Sequence, residues 1–549
     1  MVSRTLKGFL ASLLFFVFAS WVGAQQDAEH HHDEHHADSA ERLGKVSFPT
    51  SCSAQAQTQF ERGMALLYSF EYEQASRQFE GVEKQDPACA IAYWGQAMTL
   101  YHQLWDPPSE GALAEGWSLV QKAAAATEKS AREEEYIQAA AAYYKPGKQT
   151  PDERATAYSH AMERLHAAYP SDEEGAVLYA LSLLGSDSPT DTSLQNAKRA
   201  VTILNGVLEQ NPDHPGVTHY LIHACDNPSM APEGLAAARR YAAIAPSSPH
   251  ALHMPSHIFA RLGLWQDDIA SNLAAVTSAE HGSFGAAARL HPMDFLEYAY
   301  LQIGQDDKAR AIETEAVAVK NEGFEAGLGG YYFYAQAHFP ALLALETKNW
   351  KAAESLTPTP NAEPGFQAIT YWAQVVGAGH LGDVAAARTA VRNLDAALAA
   401  SRKLHPERQR PPVDTDANEA HAWLAFAEKD SAAAFKLMQP VIQYQDAVGK
   451  GEVELPAREM YADMLLEMNR PAEALEQYRL SLKSDPNRFN GLYGAGRAAE
   501  LTDDTVAAKA YYKQLLENCD QGQGSDRPEL AHARSMMAEA VDAQMRERR

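Results

Sequence analysis

The chain has 549 residues, of which 46% are hydrophobic and 22% charged, with a formal net charge of −25 and four cysteines. An acidic excess with no offsetting basic stripe argues against nucleic acid as a partner, and four cysteines in this length cannot form a disulfide framework. The length suits either several ordinary domains or one long repeat array.

The first residues, MVSRTLKGFLASLLFFVFASWVGAQQ, read as a secretory signal peptide. Arg4 and Lys7 form its basic region, Phe9 to Val22 its apolar core, and Val22-Gly23-Ala24 a small-residue cleavage site. The apolar run is too short and wrongly flanked for a membrane span, and no later segment reads as one. The expected product is therefore periplasmic or secreted and soluble after cleavage of residues 1–24, with disulfides permitted. Residues 25–43 (QQDAEHHHDEHHADSAERL) are polar and of low complexity, and are expected to be a disordered leader. Its His30, His31, His32, His35 and His36, mixed with acids, form a loose metal-binding tract or a solvated spacer.

From about Ser47 the pattern is helical, rich in Ala, Leu and Glu, with Gly or Pro as regular punctuation. A 34-residue period runs through it. Gly63, Ala75, Phe79, Val82 and Pro87 occupy the small, small, aromatic, apolar and Pro positions of a tetratricopeptide repeat. Ala200, Leu204, Val207 and Pro212 repeat as Gly234, Ala238, Tyr241 and Pro246, and Ala474, Tyr478 and Pro486 are followed by Ala508 and Tyr512. Such repeats are antiparallel helix pairs, A and B, that bury their apolar faces by stacking. Residues 44–549 are thus expected to form an all-α solenoid of roughly a dozen hairpins, right-handed in its superhelix, with a capping helix from about Pro528. The segments 355–366 and 405–416 interrupt the period as irregular joints.

Cys52 precedes the first A helix and Cys89 the second. Those helix starts are neighbours in a solenoid, so a Cys52–Cys89 disulfide is expected, subject to geometry.

The chemistry concentrates in 213–298, in HPGVTHYLIHACDNP, SPHALHMPSHIFARLGLW and LHPMDFLEYAYLQIG. His219 and His223 recur 34 residues later as His253 and His257. With the turn Gly263 at repeat position 15, His250, His253 and His257 take positions 2, 5 and 9 of one A helix. The preceding repeat places His219 and His223 at 5 and 9 and Asp226 at 12. The next, set by Gly304 and Ala309, places His291, Asp294 and Tyr298 at 2, 5 and 9. A fourth puts His338 at 5. One position breaks the rule: the small-residue position 20 of the second repeat is Asp268. Residues i and i+4 share a helix face and packed helices lie about 8–10 Å apart, so these imidazoles can converge.

Neutral imidazoles with carboxylates suit a divalent transition metal: zinc, copper, nickel or iron. His219, His223, His250, His253, His257, His291 and Asp294 are the candidate ligands, with Tyr298, His338, Asp226 and Arg261 as further ligand-binding residues of a concave groove. Three readings remain open: a metal site, a groove for a peptide or small polar ligand, and a structural hydrogen-bond network. A zincin would need Glu after the first His, but Tyr220 and Met254 stand there. No GxSxG, Walker or dinucleotide motif occurs in a suitable context. No catalytic residue is assigned. The leading expectation is a binding or scaffold protein, with a metal-dependent enzyme or a protein–protein adaptor as alternatives. Metal binding should weaken as imidazoles protonate near pH 6.

The segments FPTSC, DPACAIAYWGQAM, HPGVTHYLIHACDNP, PHALHMPSHIFARLGLW, LPAREMYADMLLE and DPNRFNGLYGAGRAAE resemble a family of exported bacterial tetratricopeptide-repeat proteins over about residues 45 to 520. PHALHMPSHIF is the most specific of them. The resemblance implies the fold and export, and supplies no catalytic residue.

Overall fold

The computed structural model describes residues 41–547 apart from 105–106, 189–190, 282–286, 321–328, 407–409, 452 and 521–522. The signal-peptide and His-tract expectations fall outside these residues. Every regular element among them is a helix, in 26 segments. Pro249–His253 and Pro255–Arg261 are one A helix broken where Pro255 removes a backbone donor. Joined so, the helices pair into twelve hairpins and end in the cap Pro528–Glu547. Each helix packs on its successor and most A helices pack on the next A helix, as in a tetratricopeptide-type α-solenoid.

Local chemistry explains the elements. Ser53 caps the first helix, Ala54–Tyr68, by accepting from the Ala56 amide. Ser130 with Glu133 and Thr150 with Glu153 form capping boxes on the third hairpin. The small residue at repeat position 8 is a packing requirement: a Cβ on Gly63 would stand 2.6 Å from Cε1 of Phe79. A disulfide joins Cys52 and Cys89, whose Cα atoms are 4.9 Å apart, and ties the first helix start to the second.

The solenoid winds until distant hairpins touch. Trp265 Nε1 donates to the Asn487 carbonyl at 2.8 Å, and Asn518 Nδ2 to that of Gln302 at 2.9 Å. Gly263, at φ +62°, sits so close that a Cβ would stand 2.2 Å from the Pro486 carbonyl oxygen. The knot of this contact is the buried Arg488 guanidinium, which donates to Glu346 at 2.8 Å, to Glu459 at 2.9 and 3.0 Å, and to the Tyr298 hydroxyl. Removing the cation alone would strand two buried carboxylates. Arg488→Met is therefore expected to lower stability by about 3–5 kcal/mol. Adding Glu346→Gln and Glu459→Gln should recover much of the loss, both read as urea midpoints.

Candidate metal centre

The centre is built from three successive A helices: Pro215–Cys225 of the fifth hairpin, the broken helix Pro249–Arg261 of the sixth, and Ala287–Gln302 of the seventh. Their histidines gather into two triads, His219–His223–His250 and His253–His257–His291. In each, one ligand nitrogen per residue lies within 4.8 Å of the others. The register is identical in both. Positions 5 and 9 of one A helix meet position 2 of the next, so the repeat itself generates the second triad from the first.

Hydrogen bonds on the far side of the rings set the tautomers. His219 Nδ1 donates to the Tyr68 carbonyl at 2.6 Å. His253 Nδ1 lies 2.7 Å from Asn272 Oδ1, and His257 Nδ1 2.8 Å from Asp226 Oδ2. The Asn272 amide cannot be reversed, because its Nδ2 donates to the Asp268 backbone carbonyl at 3.0 Å, an oxygen that can only accept. As neutral imidazoles, His253 and His257 carry their protons on Nδ1 and leave Nε2 unprotonated. Those two unprotonated nitrogens face each other at 3.1 Å. In the first triad, His223 Nε2 and His250 Nε2 each stand 3.1 Å from His219 Nε2. His291 Nδ1 is bonded by the Tyr331 hydroxyl. Nitrogens held about 2.0–2.1 Å from one tetrahedral metal stand about 3.3 Å apart.

The pocket walls are aromatic. Phe70 packs on all three rings of the first triad, at centroid distances of 4.4, 5.6 and 5.6 Å. Phe295 packs on all three of the second, at 4.9, 4.7 and 5.5 Å. His219, His253 and His257 are buried; His223, His250 and His291 are partly so. Burial, helped by the neighbouring imidazoles, pushes His219, His250 and His253 well below the ordinary histidine range. The expected loss of metal near pH 6 accordingly moves to lower pH, because the neutral form persists.

Two sequence expectations change. Asp294 is not among the triad ligands: its Oδ2 accepts from the Tyr334 hydroxyl at 3.0 Å, and His338 Nε2 lies 3.4 Å from its Oδ1. The seventh hairpin offers carboxylate rather than imidazole at position 5, and that carboxylate turns to the eighth hairpin. The groove beside the triads is also not open. The chain's own residues Lys450, Val453 and Glu454 form a strap across it. Arg261 Nη1 donates to the Lys450 carbonyl at 2.7 Å, Tyr298 to that of Glu454 at 3.3 Å, and His338 bonds the backbone of Val453. Gly449, at φ +90°, lets the strap turn against Pro228, whose Cδ would stand 2.7 Å from a Cβ there. Asp226 completes the set, accepting from Arg261 Nε at 2.9 Å while holding His257.

Sequence reasoning missed Tyr68, Phe70, Asn272, Phe295 and Tyr331. One signal existed. Asp268, the position that broke the repeat rule, is buried and its carboxyl is pushed well up by burial. It orients Asn272, and through it His253.

No protein-family model matches this chain, and no curated protein matches it. Solved structures do, at low identity. The human IFIT1 dimer with m7Gppp-AAAA is 13% identical, with 78% of this chain and 90% of that one covered and a TM-score of 0.35. The Cut9–Hcn1 hetero-tetramer of the APC/C is 12% identical, with 88% and 96% covered and a TM-score of 0.31.

His338 provides a pH test separate from the triads. Burial holds it at about 4, against the opposing pull of Glu454 and a backbone bond. Below the ordinary histidine pKa near 6.5, the unfolded chain binds a proton that the folded chain refuses. The stability from neutral His338 is complete above that value and is lost as pH falls towards 4, by up to about 3 kcal/mol. Urea unfolding across this window should show a shallower acid slope for His338→Gln than for the parent.

Proposed function

We propose that this chain is an exported helical-repeat protein that binds divalent transition metal at two three-histidine sites, and that it exists to hold that metal with a coordination position open. One observation carries the reading. His253 and His257 each commit their only hydrogen to an outer acceptor and bring unprotonated nitrogens to 3.1 Å. Two lone pairs at that distance repel unless a cation lies between them, and burial disfavours a proton on His253. A metal ion answers the repulsion, and the outer bonds to Asn272 and Asp226 orient its ligands as carboxamide and carboxylate partners do at histidine metal sites.

Three imidazoles per site favour a reactive or ligand-exchanging metal over a structural one, since closed structural sites carry four protein ligands. This supports the metal-dependent enzyme as the second reading, with a metal-bound water as the reagent. A peptide-groove function at the same residues is disfavoured, because Arg261, Tyr298 and His338 already engage the strap.

The test is metal content after equilibration with zinc or copper and desalting. The chain should first carry His30→Ala, His31→Ala, His32→Ala, His35→Ala and His36→Ala, which removes the leader tract as a competitor. About two ions per chain are expected, falling to about one with His253→Ala and His257→Ala added. A parent chain that retains no metal would reject the proposal.

A further inference from the structure

We infer that the two triads are halves of one dinuclear centre, in which two metal ions share a small bridging anion supplied by solvent. This rests on the metal-binding reading above and goes beyond it, because two independent sites would satisfy that reading equally.

The two sites share a helix. His250 serves the first triad, while His253, one turn on, serves the second. Their ring centroids are 6.2 Å apart, and those of His223 and His257 also 6.2 Å. The triads therefore meet ring to ring along two of their edges. Phe70 closes a side of the first triad with hydrocarbon and Phe295 a side of the second. A ligand shared by the two ions would lie on the side of each triad that faces the other.

Charge points the same way. All six ligands are neutral, so two divalent ions bring four positive charges into a largely buried site. The nearby Asp226 is shared with the Arg261 guanidinium, which cancels it. Asp268 is buried and held towards its neutral form. Positive charge in such surroundings demands an anion. Water between two divalent ions meets the demand: one O–H bond breaks, the proton leaves to bulk solvent, and the hydroxide oxygen binds both ions through its lone pairs. No electron is transferred. Other small monoanions, azide among them, would take the same place.

Copper gives the decisive readout, since imidazole sites bind it at the top of the divalent series and each Cu(II) carries one unpaired electron. The leader-substituted full chain is loaded with two equivalents of Cu(II), and copper content and EPR spin count are measured on the same sample. A bridged pair couples its spins, so the integrated signal should fall to a small fraction of the bound copper. Azide should bind at one per two coppers. His219→Ala with His223→Ala, or His253→Ala with His257→Ala, should each leave one copper with its full spin. Two bound coppers with two full spins in the unsubstituted triads would overturn the dinuclear centre while leaving metal binding intact. Absence of bound copper would remove both readings. The spin count of the chain with both triads intact decides between these outcomes, whether or not the triad variants fold.

Discussion

The structure turns on the hydrogen bonds made by the outer nitrogens of the triad histidines. A neutral imidazole has one proton, and wherever Nδ1 carries it the opposite nitrogen is left with a lone pair. At His219, His253 and His257 that proton goes to Tyr68, Asn272 and Asp226. The inward-facing nitrogens then crowd to 3.1 Å within a wall of phenyl rings. A repeat fold makes this arrangement twice with little extra sequence, because positions 5, 9 and the next helix's 2 recur whenever a hairpin is added.

The rest of the molecule holds this pocket in place. The first hairpin contributes from far away in sequence: its turn delivers the Tyr68 carbonyl and Phe70, the latter at φ 55°. Ser248, just before the sixth A helix, donates to the buried Glu71 at 2.6 Å. Lys450 of the strap fixes Arg261, and Arg261 fixes Asp226. Farther out, Arg488 locks the eleventh and twelfth hairpins against the seventh and eighth. Such buried polar links hold geometry rather than add much net stability.

The solenoid is legible in the sequence because its causes are local and periodic. Gly63 faces Phe79, Gly234 faces Cys225 and Ile258, and each small position reports a close helix approach. The six triad histidines are legible for the same reason, but their division into two sets is not. Read along position 5, His219, His253, Asp294 and His338 look like one row. Contact instead runs diagonally, from positions 5 and 9 to position 2 of the next helix, which leaves Asp294 and His338 to each other. The strap and the first-hairpin turn are invisible because they arrive from 151 to 189 residues away, beyond any period. Asp268 shows the converse: a broken packing rule marks a residue that serves the site, as local conflicts in a consistent sequence often do.

X-ray absorption at the metal edge tests the central claim most directly, on the leader-substituted chain loaded with zinc or copper. Three imidazole nitrogens per ion at about 2.0 Å, with the outer-shell scattering of their rings and no sulfur, is the predicted spectrum. An ion surrounded by oxygen alone, or ligated by sulfur, would contradict the three-histidine centre.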